Sequence, residues 1–166
     1  HGRRRRLRIA RGDDAAGLRV ANAMMKPDKI AALQKTLADE KRVIIVPVRM
    51  YENGERNTIP QHMADVMAHQ TGWEADETIF QINDVAHTKK SALERLLVQA
   101  EFNGEVVAGA TYVILDDVVT TGGTLANLKG FIESKGGRVK AIQTIGAAQF
   151  ATNLQVMPAT LKKLRE

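Results

Sequence analysis

Residues 111–125, TYVILDDVVTTGGTL, hold two adjacent carboxylates, three hydroxyls and two glycines within nine residues. The apolar, β-branched run Tyr112-Val113-Ile114-Leu115 reads as a strand buried on both faces of a parallel sheet. It ends at Asp116 and Asp117, whose side chains the strand period of two aims in opposite directions, one toward a ligand and one toward backbone amides. Beyond Val118 and Val119 come Thr120, Thr121, Gly122, Gly123 and Thr124, then Leu125, Leu128 and Ile132 at helical spacing. Glycines allow close backbone approach, consecutive amides form a concave nest, and a helix start offers free N–H groups at a positive dipole end. Between Lys90 and Lys129 the only basic residue is Arg95, so this loop must hold an anion mainly with dipoles. The Gly-Lys-Ser/Thr pattern of a P-loop is absent. Carboxylates repel a bare polyphosphate but accept both O–H groups of a vicinal diol, so the implied ligand is a sugar phosphate. A simple Asp turn with Thr124 as N-cap explains neither the second acid nor the double glycine.

Residues 113–125 resemble the 5-phosphoribosyl-1-pyrophosphate (PRPP) signature of type I phosphoribosyltransferases: apolar strand, two acids, two apolar residues, then Thr-Thr-Gly-Gly-Thr. The resemblance implies that Asp116 and Asp117 bind the ribose 2′ and 3′ hydroxyls and serve catalysis by stabilising a ribosyl cation. It implies that the loop from Val119 through Thr120, Thr121, Gly122, Gly123 and Thr124 cradles the 5′-phosphate. It further implies Mg²⁺, met by the acid pair only indirectly through substrate hydroxyls, and a cytoplasmic PRPP-dependent transferase that releases pyrophosphate. Purine-salvage members acting on hypoxanthine and guanine carry Asp where this chain has Thr120, which argues against that acceptor class.

The elements that position this loop are those of an α/β domain: a central, mostly parallel sheet flanked by helices, with ligands at the carboxyl ends of the strands. Residues 18–25 suit a short helix, and Lys26-Pro27-Asp28 looks like a helix start with Asp28 as N-cap. Ile30, Leu33, Leu37 and Ala38 then form an inward stripe, and residues 43–46, VIIV, read as a buried strand. The polar stretch 47–58 follows that strand, with Pro60 placed to open the next helix. Met63, Val66, Met67 and Gln70 mark that helix's buried side, and Gly72 ends it. Residues 78–82 read as a second strand, 102–108 as a strand or hairpin arm turning at Asn103-Gly104, and 139–147 as a strand after a glycine stop at Gly136-Gly137.

By the resemblance, 47–58 takes the place of the pyrophosphate loop, making Arg49 and Arg56 candidates for the leaving pyrophosphate. The polar stretch 83–91 takes the place of a mobile flap that brings Lys89 and Lys90 to the same group. A helix start exposed to solvent explains those lysines equally well. The middle of the chain, Val46-Pro47-Val48 through Lys89, Arg95 and Phe102, also loosely resembles the competence-type phosphoribosyltransferases linked to DNA uptake. His62, Asp65 and His69 share a helix face, but two histidines two turns apart are too distant for one metal ion.

At 166 residues the chain fits one domain, 13–166, preceded by a basic arm, 1–12. Hydrophobic residues make up 44% and charged residues 26%, ordinary for a globular protein, and no apolar run reaches membrane-spanning length. No cysteine is present, which excludes disulfides and thiolate metal sites. The net charge of +5 comes largely from Arg3, Arg4, Arg5, Arg6, Arg8 and Arg11. That arm leaves contact with nucleic acid open. A solvated tail is favoured, because aromatics are only 4% and offer no stacking platform, and the start at His1-Gly2 fits a tag remnant. The family's base-recognising hood would lie in the chain ends, and neither end names a base.

The expected function is transfer of the phosphoribosyl group from PRPP to a small nitrogenous acceptor. The alternative is a PRPP- or nucleotide-sensing regulator that contacts nucleic acid through its arm, and a sugar-phosphate-binding part of a larger protein also fits. A homodimer is left open.

Overall fold

The computed structural model describes residues 14–52, 55–83, 99–119 and 122–147. In chain order the elements are α1 (Asp14–Met24), α2 (Pro27–Thr36), β1 (Val43–Pro47), β2 (Tyr51–Glu52), β3 (Glu55–Arg56), α3 (Ile59–Thr71), β4 (Glu74–Ala75), β5 (Phe80–Gln81), β6 (Phe102–Asn103), β7 (Thr111–Val119), α4 (Gly123–Ser134) and β8 (Arg138–Ala147). Four strands form one sheet in the order β4-β1-β7-β8, every pairing parallel. The short ribbons β2-β3 and β5-β6 are antiparallel. Among the described residues no helix is long and apolar enough to cross a membrane.

Continuous apolar strands bury both faces, and the alternation of side chains divides them between two cores. Val43, Ile45, Val113 and Leu115 meet Ala21, Ile30, Met63 and Met67 from α1, α2 and α3. Ile44, Val46, Tyr112 and Ile114 meet Leu125, Leu128 and Ile132 of α4. Tyr112 is fully buried, yet its phenol oxygen accepts a hydrogen bond from Val107 N at 2.8 Å. Burial pushes its pKa up, against the opposing effect of that bond. At the amino-terminal edge of the sheet, Glu40 Oε2 accepts from the Thr111 hydroxyl at 2.6 Å and from Arg138 at 2.9 Å. The Thr111 hydroxyl holds the Glu40 carboxyl below the usual glutamate range; burial opposes this, and Arg138 and Lys140 add to it.

Several expectations are corrected. The N-cap of α2 is Lys26, with Asp28 inside the first turn. Ala38 and Gln70 are exposed, because each lies beyond the inward stripe near its helix end. Of 78–82 only Phe80–Gln81 is strand, and it pairs with β6; the sheet's edge strand is the unanticipated Glu74–Ala75. The stretch after β1 contains the hairpin β2-β3. β7 continues through both acids to Val119, and α4 is capped by Gly122. The expected stops hold at Gly72 and Gly136, with φ of 75° and 87°. The arm, the segment 84–98 and the chain from 148 onward lie outside the described residues.

Candidate functional site

The acid pair stands near the carboxyl end of the central strand, flanked by β1 and β8. Asp116 is 7% exposed and Asp117 1%. Each carboxylate turns one oxygen onto the next amide: Asp117 N donates to Asp116 Oδ1 and Val118 N to Asp117 Oδ1, both at 2.8 Å. Such local bonds compete with the strand ladder for these amides. The alternation shifts accordingly, with Val118 packing against the α1–α3 core and Val119 against the α4 core, one residue out of phase with Val113 and Ile114. Pairing with β8 keeps its register across the pair, Asp116 opposite Thr144 and Val118 opposite Gly146.

Beyond β7 the chain reaches Gly122 at φ 78°, ψ 0°, a left-handed conformation that glycine adopts without strain. Ala126 N closes the first turn of α4 on Gly122 O at 2.9 Å. The amides of Gly123, Thr124 and Leu125 therefore lack intrahelical acceptors, and no acid sits in that turn. A helix N-terminus of this kind, with the dipole behind it, suits an anion. The half-buried Thr124 and Val119 border it, while Thr120 and Thr121 lie outside the described residues.

Arg49 has a different environment from the one expected of a pyrophosphate ligand. Its Nε donates to Gln61 Oε1 at 3.0 Å, Nη1 donates to Ile79 O at 3.2 Å, and Nη2 donates to Asp76 O. These acceptors tie the exit of β1 to the turn between β4 and β5. Asp76 shapes that turn by accepting from Thr78 N at 3.0 Å and Ile79 N at 2.7 Å. The sequence signal for it was present: an acid two residues before a threonine in EADET is an Asx-turn pattern. Arg56 lies on β3 opposite Tyr51. Its side chain, like Lys89 and Lys90, lies outside the described residues.

His62 Nε2 donates to Asp14 Oδ1 at 2.9 Å, and His62 Nδ1 lies 3.7 Å from Asp65, linking α1 to α3. Among the described residues no three His, Cys, Asp or Glu side chains gather to hold a metal ion.

Among the described residues, sequence reasoning missed three buried polar atoms that have no partner there: Asn57 Nδ2, Thr58 Oγ1 and Gln81 Oε1. They flank the loop after β1, since Asn57 N bonds Met50 O and Gln81 N bonds Arg49 O.

No family model matches the chain. It is 38% identical over 155 residues to protein TraN of Escherichia coli, covering 93% of this chain and 34% of that protein. It is 34% identical over 113 residues to an uncharacterized protein of Haemophilus influenzae, covering 68% of this chain and 25% of that one. The chain thus spans about a third and a quarter of these relatives' lengths. Among solved structures, an adenine phosphoribosyltransferase superposes with a TM-score of 0.54 at 16% identity, covering 80% of this chain and 72% of that one. The Saccharomyces cerevisiae adenine phosphoribosyltransferase, bound to an imino-altritol bisphosphate and adenine, gives 0.53 at 15% identity, covering 80% and 70%. With its all-parallel central sheet and flanking helices, the chain has the fold of the type I phosphoribosyltransferases.

Proposed function

We propose that the chain binds the ribose 5-phosphate portion of PRPP at the junction of β7 and α4 and transfers the phosphoribosyl group to a nitrogenous acceptor. The observation that carries this reading is the pair of buried adjacent carboxylates, Asp116 and Asp117, leading to a left-handed glycine and an acid-free helix start. The bond from ribose C1 to pyrophosphate breaks and a bond from C1 to the acceptor nitrogen forms. The acid pair accepts the ribose hydroxyls and faces the positive charge that builds on the sugar. The amides of Gly123, Thr124 and Leu125 hold the 5′-phosphate, fixing C1 for in-line displacement. Mg²⁺, when bound, supplies countercharge at the departing pyrophosphate.

One observation favours the second reading, a PRPP- or nucleotide-sensing regulator without turnover. Arg49, expected to supply countercharge to pyrophosphate, donates to Gln61, Asp76 and Ile79. A pyrophosphate-release assay with PRPP, Mg²⁺ and a panel of bases separates the two, run beside a salt-dependent nucleic-acid binding measurement. Turnover that disappears in the double variant Asp116→Asn, Asp117→Asn supports the transferase. PRPP or nucleoside monophosphate binding without turnover supports the regulator, and absence of any such binding by calorimetry overturns both.

A further inference from the structure

Asn103 ends β6, Gly104 begins the bend that follows it, and packing dictates the second of these residues. Gly104 has φ 134°, and a Cβ there would stand 2.6 Å from both Ile79 Cα and Thr78 O, so only glycine fits. The fold therefore gives the exposed Asn103 a successor with no side chain to shield its backbone nitrogen. Among the described residues the acceptor for Gly104 N is the Asn103 side chain itself, with Oδ1 at 2.8 Å. That local bond sets the nitrogen beside the carboxamide of the preceding residue, the two groups that join when asparagine closes to a cyclic imide. Lys135 Nζ donates to Gly104 O at 3.3 Å, which places a positive charge one peptide away from the amide that must lose its proton.

The other described asparagines are held differently. Asn22 and Asn127 lie inside α1 and α4, where the following amides are committed to helix bonds, and Asn22 Nδ2 donates to Leu18 O at 3.0 Å. The buried Asn57 accepts from Ile59 N at 3.3 Å. Asn83 donates to Gln99 O at 2.7 Å and accepts from Glu101 N at 2.9 Å.

We propose that Asn103 is a site of spontaneous deamidation. The Gly104 nitrogen forms a bond to Asn103 Cγ, the bond from Cγ to Nδ2 breaks, and ammonia leaves carrying the amide proton. Water then opens the cyclic imide at either carbonyl and returns a hydrogen to the nitrogen. Opening at the side-chain carbonyl gives aspartate; opening at the backbone carbonyl gives isoaspartate, in which the main chain runs through Cγ and is longer by one carbon. Gly104 has no slack against the backbone of Thr78 and Ile79, so the longer chain parts β6 from β5, where Ile82 N bonds Glu101 O at 2.9 Å.

Peptide mapping by mass spectrometry tests this, on the whole folded chain held at mildly alkaline pH in water enriched in heavy oxygen, with the urea-unfolded chain as reference. Asn53, also followed by glycine, lies outside the described residues and falls on its own tryptic peptide after Arg49, so its products are scored separately. The folded chain is expected to lose Asn103 with isoaspartate in excess and one solvent oxygen gained, while Asn22 and Asn127 stay intact over the same interval. Asn103→Gln, whose longer side chain closes an imide far more slowly, is expected to abolish the product at this position. Hydrogen exchange at the Ile82 amide is expected to be faster in the isoaspartyl form and unchanged in Asn103→Asp, which carries the new charge without the extra carbon. Asn103 retained in the folded chain, whether or not it is lost in urea, overturns the proposal, and so does aspartate formed without isoaspartate. Equal exchange at Ile82 in the isoaspartyl and unaltered chains overturns the parting of β5 from β6.

Discussion

The guanidinium of Arg49 lies 3.7 Å from the carboxylate of Asp76, and each side chain is 10% exposed. The two residues also organise backbone: Arg49 donates to the carbonyls of Asp76 and Ile79, and Asp76 accepts from the amides of Thr78 and Ile79. Removing one partner of a buried pair strands the other charge. Asp76→Ala is expected to lower unfolding stability by about 3–5 kcal/mol in urea. Arg49→Lys is expected to restore little, because an ammonium cannot reach Gln61, Ile79 and Asp76 from one planar fork. If Arg49 instead serves mainly as a ligand group, Arg49→Lys changes pyrophosphate affinity while leaving the urea midpoint in place.

Gly122 offers a separate test of the phosphate loop. Among the described residues a Cβ at that position would meet nothing nearer than Val119 Cγ1 at 4.0 Å, so the cost of Gly122→Ala against them is conformational rather than steric. Holding alanine at φ 78° costs about 1–2 kcal/mol. Relief of that strain by rotation of the peptide would turn the first amides of α4 away from an anion. Gly122→Ala is expected to weaken ribose 5-phosphate binding with only a small fall in melting temperature, and Gly122→Asn to recover part of the affinity because asparagine tolerates the left-handed region. Equal affinity in all three proteins would remove this loop from the phosphate site.

What could be read in advance follows a physical division. Residues whose role is set by local pattern were legible: the alternation of Val43 to Val46 and Tyr112 to Leu115, the helix stripe of Leu125, Leu128 and Ile132, and the stops at Gly72 and Gly136. Roles set by partners distant in sequence were not. Arg49 reads in the sequence as a candidate for pyrophosphate, and the fold sets Asp76 and Ile79, 27 and 30 residues away, against it. β4 escaped notice because two residues show no period, and its place comes from pairing with Ile44 and Ile45. Asp116 and Asp117 were legible as a pair, whereas their bonds to the following amides and the resulting phase shift of Val118 and Val119 depend on backbone geometry.

Gly137 is fixed by packing between β7 and α4. A Cβ there would stand 2.6 Å from Ile132 Cγ2 and 2.8 Å from Tyr112 Cε2, both on fully buried residues. Gly137→Ala is expected to cost about 1–3 kcal/mol by overpacking. The double variant Gly137→Ala, Ile132→Leu moves the branch from Cβ to Cγ and so removes the clashing Cγ2. A denaturant series in which the double variant is no more stable than Gly137→Ala would show that the Tyr112 contact dominates.

Acid should release the tie at the amino-terminal edge of the sheet. Glu40 has a folded pKa below its ordinary value, chiefly through the Thr111 hydroxyl, so its ionised form is the one that the fold favours. For a depressed carboxyl the contribution to stability is complete above the unfolded pKa and declines as pH falls through the folded one. The window therefore begins near the usual glutamate range and extends below it. Thr111→Val removes the hydroxyl that donates at 2.6 Å while leaving the Thr111 amide, bonded to Arg42 O at 3.0 Å, in place. In that variant the Glu40 carboxyl carbon, followed by NMR, is expected to titrate at higher pH than in the unaltered chain, and the loss of stability on acidification is expected to be smaller. An unchanged Glu40 titration would assign the depression to Arg138 and Lys140, in which case added salt raises the pKa in both proteins alike.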